Sequence, residues 1–318
     1  MNIRFKNGIN KLKIVLLPLI LCFILINYRI EGNKTKICLF VIAKNENLYV
    51  KEYVEHYKKI GYNKIFIYDN NDKNGEDIGK VIKKYINNGF VKIINYRERN
   101  ENSRPQIDSY KDCYFRNNQS YNWLSFFDMD EFLEINKKYN KIQDFLNEKI
   151  FDKCQNIKIN WLWYYDKNLI YYENKPIQER IKIFDSKTMI NQHIKSTVRG
   201  NLSINYWNKA LDPHTSLINI TSCSSSGKII KSSSPFNYPP DYTNAKLKHY
   251  SYKSFEEYCL KSIKGKADSP KNMSDYRVIN QLKVLFEKNK IDQEKLKILY
   301  KIYNNSIYNQ SLVFKKFI

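Results

Sequence analysis

Apolar and polar residues alternate along the chain in blocks whose spacing predicts strands and helices in turn. Four runs rich in apolar and aromatic residues are typical of strands buried on both faces: residues 37–42, 64–68, 90–96 and 123–127. Three segments between them have apolar residues at helical spacing: one capped by Asn45 and stopped by Gly61, then residues 77–88 and 104–120. This alternation predicts an α/β fold with a Rossmann-like, mostly parallel sheet and flanking helices.

The fourth predicted strand ends abruptly in acidic residues: Asp128, Asp130 and Glu131. Ligands of open α/β sheets bind beyond the carboxyl ends of the strands, so a site is expected here. Asp128 and Asp130 can offer oxygens to one divalent ion and leave coordination positions for phosphate oxygens. An acidic helix N-terminus after the strand would explain the same residues, because carboxylates there interact favourably with the helix dipole.

Two further polar clusters follow predicted strands at the same edge of the sheet. Lys44, Asn45 and Glu46 follow the first strand, and Asp69 to Asn71 follow the second. The sequence has no G-x-G-x-x-G after the first strand and no G-x-x-x-x-G-K-[ST], which disfavours a classical dinucleotide site and a P-loop. An ordinary turn would also explain Asp69 to Asn71.

Residues 14–26 form an uninterrupted apolar run with a basic flank on its N-terminal side. The run spans roughly 20 Å as a helix, which suits either a signal peptide or a short signal anchor. No small-x-small cleavage site follows it, and this favours the anchor. We therefore predict a cytosolic tail over residues 1–13 and a single membrane span over residues 14–30. The remainder would lie across the membrane, in the Golgi or ER lumen of a eukaryotic cell.

Charge and cysteine content narrow the possible classes of protein. The net charge is +22, but the lysines are scattered and no nucleic-acid motif concentrates them, so nucleic acid is not expected as a partner. Six cysteines are present, and Cys22 lies in the apolar run. The other five contain no C-x-x-C pair, which disfavours a zinc site. They permit at most two disulfides, whose pairing the sequence does not determine.

Several blocks together resemble glycosyltransferase family 92 and its bacterial family-2-like relatives, which adopt the GT-A fold. Along the chain they are VIAKNENLYVKEYVEHYKKIGYNKIFIYDNND, QIDSYKDCYF, NWLSFFDMDEFLEI, HIKSTVRG, DPHTS and LKHYSYKSFEEYCLKSIKGKAD. The similarity covers residues 36–268, within a predicted catalytic domain of residues 31–270. The family more often has proline where Gly200 stands, and residues 161–180 lack its usual glycine-containing segment.

The resemblance implies metal-dependent transfer of a sugar from a nucleotide sugar to a glycan hydroxyl, with inversion at the sugar. The donor would be a UDP-sugar such as UDP-galactose, and the ion Mn²⁺ or Mg²⁺. The resemblance implies a nucleoside site at Lys44, Asn45, Glu46 and Asp69, with Asn71 beside them. It implies that Asp128 and Asp130 bind the ribose and the metal, with His249 as a late metal ligand. Basic candidates for binding the diphosphate are Lys195, Arg199, Lys248 and Lys253.

An inverting transfer also needs a general base to take the proton of the attacking hydroxyl. Glu179, Asp212 and His214 lie between the metal motif and the late histidine, and they are the candidates. We favour Glu179 because residues 176–183 return to apolar alternation, which predicts a strand that would hold the carboxylate rigidly. Glu179 could instead be only the ion-pair partner of Arg180.

The remaining segments carry no catalytic motif. Residues 222–234 are rich in serine and lysine and predict an exposed loop. Residues 271–318 have helical spacing and predict a helical appendage. Two other classes of function stay open on the sequence alone: a catalytically inactive, membrane-anchored glycan-binding protein, and a basic nucleic-acid-binding protein.

Overall fold

The computed structural model describes residues 35–98, 104–166, 168–202, 220–231, 234–264, 294–295 and 297–298. The predicted tail and anchor, and the base candidates Asp212 and His214, lie outside these residues. Within the described ranges, no helix combines the length and the apolar character that a membrane crossing requires. Of the predicted appendage, residues 294–295 and 297–298 are described; they are helical, and Ile298 is buried.

The four predicted strands are present and parallel to one another. They are β1 (Ile37–Ala43), β2 (Lys64–Asp69), β3 (Val91–Asn95) and β4 (Trp123–Phe126). The order across the sheet is β3-β2-β1-β4, so that β1 pairs in parallel with both β2 and β4. The prediction of an α/β fold with a large, mostly parallel sheet is confirmed.

Helices connect these strands: α1 (Val50–Ile60), α2 (Ile78–Val81), α3 (Lys83–Asn87) and α4 (Pro105–Asn117). Gly61 ends α1 in a left-handed conformation, as predicted. Asn45 does not cap α1, because the helix begins at Val50 with Tyr49 at its N-cap position and Asn45 has a left-handed backbone with a φ of 54°. The Asn45 N–H donates to Asn71 Oδ1 at 2.8 Å. The segment 77–88 forms two short helices instead of one, with the break at Ile82.

Alternate residues of β1 pack into two separate hydrophobic clusters. Ile37, Leu39 and Val41 belong to the cluster that contains the apolar face of α1. Cys38 and Phe40 belong to the second cluster, which contains Tyr110, Cys113 and Tyr114 of α4. Side chains of a strand alternate between its two faces, so β1 is buried on both. This is why its sequence is a continuous apolar run.

The second half of the chain extends the sheet with strands that are partly antiparallel. The strands are β5 (Glu131–Ile135), β6 (Asn156–Tyr164), β7 (Phe184–Asp185), β8 (Ile194–Arg199), β9 (Ser222–Cys223), β10 (Ile229–Ile230) and β11 (Ala245–His249). The helices are α5 (Ile142–Leu146), α6 (Ile177–Arg180) and α7 (Phe255–Lys264). The N-terminal part of β6 pairs with β8 and β9, and its C-terminal part pairs with β7 and β11.

A disulfide joins Cys154, just before β6, to Cys223 in β9. Cys38, Cys113 and Cys259 are free and buried. The prediction that residues 222–234 form an exposed loop is wrong over its first residues. Ser222 and Cys223 are buried in β9, which pairs with β10.

Gly200, directly after β8, lies against the backbone of the turn that precedes β4. A Cβ atom at this position would lie 2.1 Å from the carbonyl oxygen of Tyr121 and 2.4 Å from that of Asn118. The Gly200 N–H also donates to the carbonyl oxygen of Asn122 at 2.9 Å. Glycine is therefore required here by close backbone packing, and its N–H is used as well.

Candidate active site

The acidic residues after β4 lie in a tight turn between two strands. The chain passes from β4 through Asp128 and Asp130 directly into β5, so the alternative of an acidic helix N-terminus is wrong. The backbone N–H of Asp128 donates to the Glu131 carboxylate at 2.7 Å, which closes the turn. The turn presents two aspartates at the carboxyl end of β4, where the sheet topology predicts a ligand.

Asp128 is held by side chains from two other elements. Lys195 of β8 donates to its Oδ2 at 2.7 Å, and Gln106 of α4 donates to its Oδ1 at 3.1 Å. Lys195 is fully buried and also lies 3.8 Å from the buried Glu131 carboxylate. Burial would lower the pKa of Lys195, but the charge of Asp128 outweighs it, so the lysine remains charged.

Glu131 is fully buried beside this pair. Burial raises the pKa of the Glu131 carboxyl well above its usual range, and Lys195 offsets this only in part. The closer carboxylate partner of Lys195 is Asp128. Lys195 was predicted to bind phosphate, yet its ammonium group is committed to these carboxylates.

Asp130 and His249 are brought together by the pairing of β5 with β11. The antiparallel register sets His249 opposite Glu131, and the Tyr250 N–H donates to the Asp130 carbonyl oxygen at 2.9 Å. As a result, His249 Nε2 lies 3.8 Å from Asp130 Oδ1. Both side chains are about nine-tenths buried, and the Trp161 ring lies 3.9 Å from the His249 ring, centroid to centroid.

His249 is neutral at physiological pH in this environment. Burial lowers its pKa to about 3, although the negative charge of Asp130 acts in the opposite direction. Its buried Nδ1 has no hydrogen-bond partner among the described residues. A neutral imidazole is the form that binds metals, and an unsatisfied buried nitrogen is costly unless a ligand or water meets it.

The second carboxylate of the motif has a lysine partner that the sequence analysis missed. Lys261 of α7 donates from its Nζ atom to Asp130 Oδ2. Burial alone would raise the pKa of Asp130, but the charge of Lys261 and of other neighbouring cations holds it well below its usual range. Gln106 was missed in the same way. Both residues act across long sequence separations that no local pattern encodes.

The predicted nucleoside site is an ordered cluster at the ends of β1 and β2. Asp69 Oδ2 accepts from Arg97 Nε and Nη2 at 3.0 and 2.8 Å, and Asp69 Oδ1 accepts from Asn71 Nδ2 at 2.7 Å. Asn71 in turn accepts from the Asn45 N–H, which joins the two strand ends. These residues form one edge, as predicted, and Arg97 is an unpredicted member.

The other residues predicted to bind the nucleotide sugar are buried or already paired with protein groups. Lys44 pairs with Asp72 at 3.1 Å, and Glu46 is buried. Lys253 is buried, with its ammonium group 3.3 Å from the centroid of the Tyr49 ring. Two basic residues have structural partners: Arg199 donates to the carbonyl oxygens of Cys154 and Phe151, and Lys248 pairs with Glu134.

The prediction of a strand around Glu179 is wrong. Residues Ile177–Arg180 form the short helix α6, because the Glu52 carboxylate of α1 accepts from the N–H groups of Ile177 and Gln178. Glu179 is exposed on this helix. Arg180 forms its buried ion pair with Glu257, at 2.6 Å from each nitrogen, so Glu179 is not its partner.

Asp130 and His249 are the residues that best fit a divalent ion. One is an ionised carboxylate, the other is a neutral buried imidazole, and they face each other at a distance that one ion can bridge. Within the described ranges, no three histidine, cysteine, aspartate or glutamate side chains form a ready-made metal cluster.

Comparison with known proteins identifies the family. The model of glycosyltransferase family 92 matches residues 34–297. The chain belongs to glycosyltransferase family 92. The family resemblance inferred from the motifs is therefore confirmed. The matched residues include the ends of β1, β2 and β4, as well as β11 and α7.

Relatives of this family 92 chain cover it in part. A glycosyltransferase family 92 protein of Ricinus communis is 29% identical over 107 residues, which are 33% of this chain and 18% of the relative. The chain thus matches less than two thirds of that relative's length. The crystal structure of S. aureus TarS has a TM-score of 0.38 at 11% identity, with 86% of this chain and 45% of TarS covered. For TarS 1–349 in complex with UDP the TM-score is 0.39 at 12% identity, with coverages of 82% and 77%.

Proposed function

We propose that this family 92 chain transfers a sugar from a nucleotide sugar to a hydroxyl of a glycan, with inversion at the sugar. The donor is a UDP-sugar, with UDP-galactose as the first candidate. The observation that carries the proposal is the convergence of Asp128, Asp130 and His249 at the carboxyl end of β4, in a chain of this family. His249 is distant in sequence from the two aspartates, and the pairing of β11 with β5 brings it to Asp130, where the topology predicts a ligand.

Each part of the site has a role in this proposal. Asp130 and His249 would hold Mn²⁺ or Mg²⁺, which when bound supplies positive charge to the diphosphate leaving group. Asp128, fixed by Lys195 and Gln106, is placed to bind the ribose. The edge formed by Asn45, Asp69 and Asn71 would bind the nucleoside. The burial of Asp130 and His249 limits water near the leaving group, which strengthens electrostatic interactions.

The general base is proposed from three candidates. Glu179 is exposed on α6, so the argument that a strand holds it rigidly no longer applies. We therefore rank Asp212 and His214 alongside it. Glu179→Gln, Asp212→Asn and His214→Gln, compared under saturating donor, identify the base as the variant whose kcat falls by about 10²-fold or more.

We propose that the chain is a single-pass membrane protein with its N-terminus in the cytosol and its catalytic domain in an oxidising lumen. The apolar run at residues 14–26 motivates the anchor. The Cys154–Cys223 disulfide supports the compartment, because such bonds persist in oxidising environments. Determination of the mature N-terminus tests the anchor, and a start near residue 30 would show a cleaved signal peptide instead.

The transfer itself is tested with the full-length chain and a panel of nucleotide sugars in the presence of Mn²⁺. Release of nucleoside diphosphate is measured with and without glycan acceptors. We expect release with a UDP-sugar, and an increase in release when the correct acceptor is present. No release from any nucleotide sugar by the wild-type chain would contradict the proposal.

A further inference from the structure

Lys261 reaches the buried Asp130 carboxylate from a partly exposed position. Its Nζ donates to Asp130 Oδ2 and lies 3.4 Å from the carbonyl oxygen of Ser251. The Lys261 side chain is 38% exposed, whereas that of Asp130 is 9% exposed. A long, flexible side chain thus supplies the counter-charge to a carboxylate that is otherwise closed off from solvent.

The helix that carries Lys261 is fixed at its start. Ser254 and Glu257 form a reciprocal cap, in which the Ser254 N–H donates to the Glu257 carboxylate and the Glu257 N–H donates to Ser254 Oγ. Glu257 also accepts two hydrogen bonds from Arg180 and one from Tyr49. Lys261 lies four residues beyond Glu257 on the same helix face. Any exchange of its partner therefore requires movement of the side chain and not of the helix.

The two lysines of the site, Lys195 and Lys261, differ in burial and in the number of carboxylates they face. Lys195 is fully buried and faces both Asp128 and Glu131. Within the part of the chain that the structure describes, Lys261 pairs with one carboxylate, and its side chain is partly exposed.

A divalent ion on Asp130 would take the same carboxylate as Lys261 and would repel a neighbouring ammonium group. The ion would lie at Oδ1 beside His249, whereas the ammonium group lies at Oδ2. The two positive charges would repel each other across one carboxylate, so a bound ion would weaken the hold of Asp130 on Lys261.

We propose that Lys261 is an exchangeable counter-ion of Asp130, which holds the carboxylate in the metal-free protein and leaves it when a divalent ion binds. This inference rests on the metal site in the proposed function. It makes Lys261 a positioning residue that sets metal affinity. It also predicts that the carboxylate is never left buried without a positive partner, which would be costly.

The test measures Mn²⁺ binding to the full-length chain without nucleotide, by the electron paramagnetic resonance signal of free Mn²⁺. Lys261→Met keeps the length of the side chain and removes the charge. We expect its Kd for Mn²⁺ to be about tenfold lower than that of the wild type, since one competing ion pair is lost. Lys51→Met removes the same charge from an exposed position on α1 and should bind like the wild type.

A charge-retaining variant keeps the test decisive if Lys261→Met folds poorly. Lys261→Arg should bind Mn²⁺ no more tightly than the wild type, because guanidinium also pairs with a carboxylate. Equal affinities of Lys261→Met and the wild type, or tighter binding by Lys261→Arg, would overturn the inference. Absence of Mn²⁺ binding by all variants, with and without UDP, would overturn it too. If the wild type then still transferred sugar in chelator, the transferase function would stand and the metal site would not.

Discussion

The two halves of this molecule contribute to the site by different means. The parallel half, β1 to β4, supplies Asn45, Asp69 and Asp128 from the ends of its strands and the turns that follow them. The second half supplies Lys195, His249 and Lys261 through pairings with distant parts of the chain, and Lys261 is 131 residues from Asp130. The first half balances Asp69 with its own Arg97, whereas the second half supplies the lysines that pair with Asp128 and Asp130. A site of this kind is complete only when both halves have folded together.

The largest expected effect compares one metal ligand from each half. Asp130→Asn should lower transfer by about 10³-fold or more, because it removes a negative charge at nearly constant shape. His249→Ala should lower transfer by a smaller factor, about 10- to 100-fold, because the carboxylate remains. Initial rates with saturating donor measure both effects, with circular dichroism as the check on folding.

Asp77→Asn is the matched control for the carboxylate. Asp77 is exposed, pairs with the exposed Lys80 and caps α2, a role that asparagine can also fill, so its loss should leave transfer nearly unchanged. Near-normal activity of Asp130→Asn would remove the metal hypothesis. Near-normal transfer by His249→Ala would show that the second half of the chain contributes no metal ligand at this point.

The next effect tests how the second half is held together. The Cys154–Cys223 disulfide closes a loop with a sequence separation of 69. Cys154→Ser should lower the free energy of unfolding by about 3 to 4 kcal/mol, since the unfolded chain loses this constraint. Urea denaturation with and without reductant measures the change. Reductant should destabilise the wild type and leave Cys154→Ser unaffected; equal sensitivity of the two would show that the bond does not stabilise the fold.

The smallest effect lies at the junction between the halves. His56 of α1 donates from Nε2 to the Leu133 carbonyl oxygen of β5, at 2.9 Å, and its Nδ1 faces Gln178 Nε2 of α6 at 3.4 Å. Burial lowers the pKa of His56 to about 4, so the folded protein favours the neutral ring. The unfolded chain binds a proton below its ordinary pKa of about 6.5. This contribution to stability is thus complete above that pH and is lost as the pH falls towards 4.

Comparison of pH 7 with pH 5 tests the junction. The wild type should lose on the order of 1 to 2 kcal/mol through His56, after allowance for its partial exposure. His56→Gln can still donate to Leu133 but does not titrate, so its stability should depend less on pH. Urea unfolding at the two pH values measures the difference. An unchanged pH dependence in His56→Gln would show that His56 does not couple the halves through its protonation.

The same division explains what could be predicted from the sequence. The strands of the first half were predictable because burial on both faces leaves continuous apolar runs, and the D-x-D turn follows one of them. His249 was assigned through the family resemblance, since its approach to Asp130 depends on the register of β5 with β11. Lys261 gave no signal, because helix spacing does not reveal which distant carboxylate a lysine meets.

The wrong predictions also trace to distant partners. Apolar alternation around Glu179 predicted a strand, but the Glu52 carboxylate caps the first N–H groups of α6 and favours a helix. Asn45 has the side chain of a helix cap, but its backbone is left-handed and its N–H donates to Asn71 at the neighbouring strand end, so that the helix begins only after Tyr49. In both places the backbone follows contacts with another element instead of the local pattern.

Gly200 has a consequence for how this chain can change. Proline, the residue that the resemblance leads us to expect at this position, would lack the N–H that donates to Asn122 and would bring a Cβ against Tyr121 and Asn118. Proline at position 200, without a second change, would therefore clash with the backbone of Tyr121 and Asn118. The residue at position 200 and the turn at residues 118–122 therefore constrain each other. Replacement of glycine by proline at position 200 requires a compensating change in that turn.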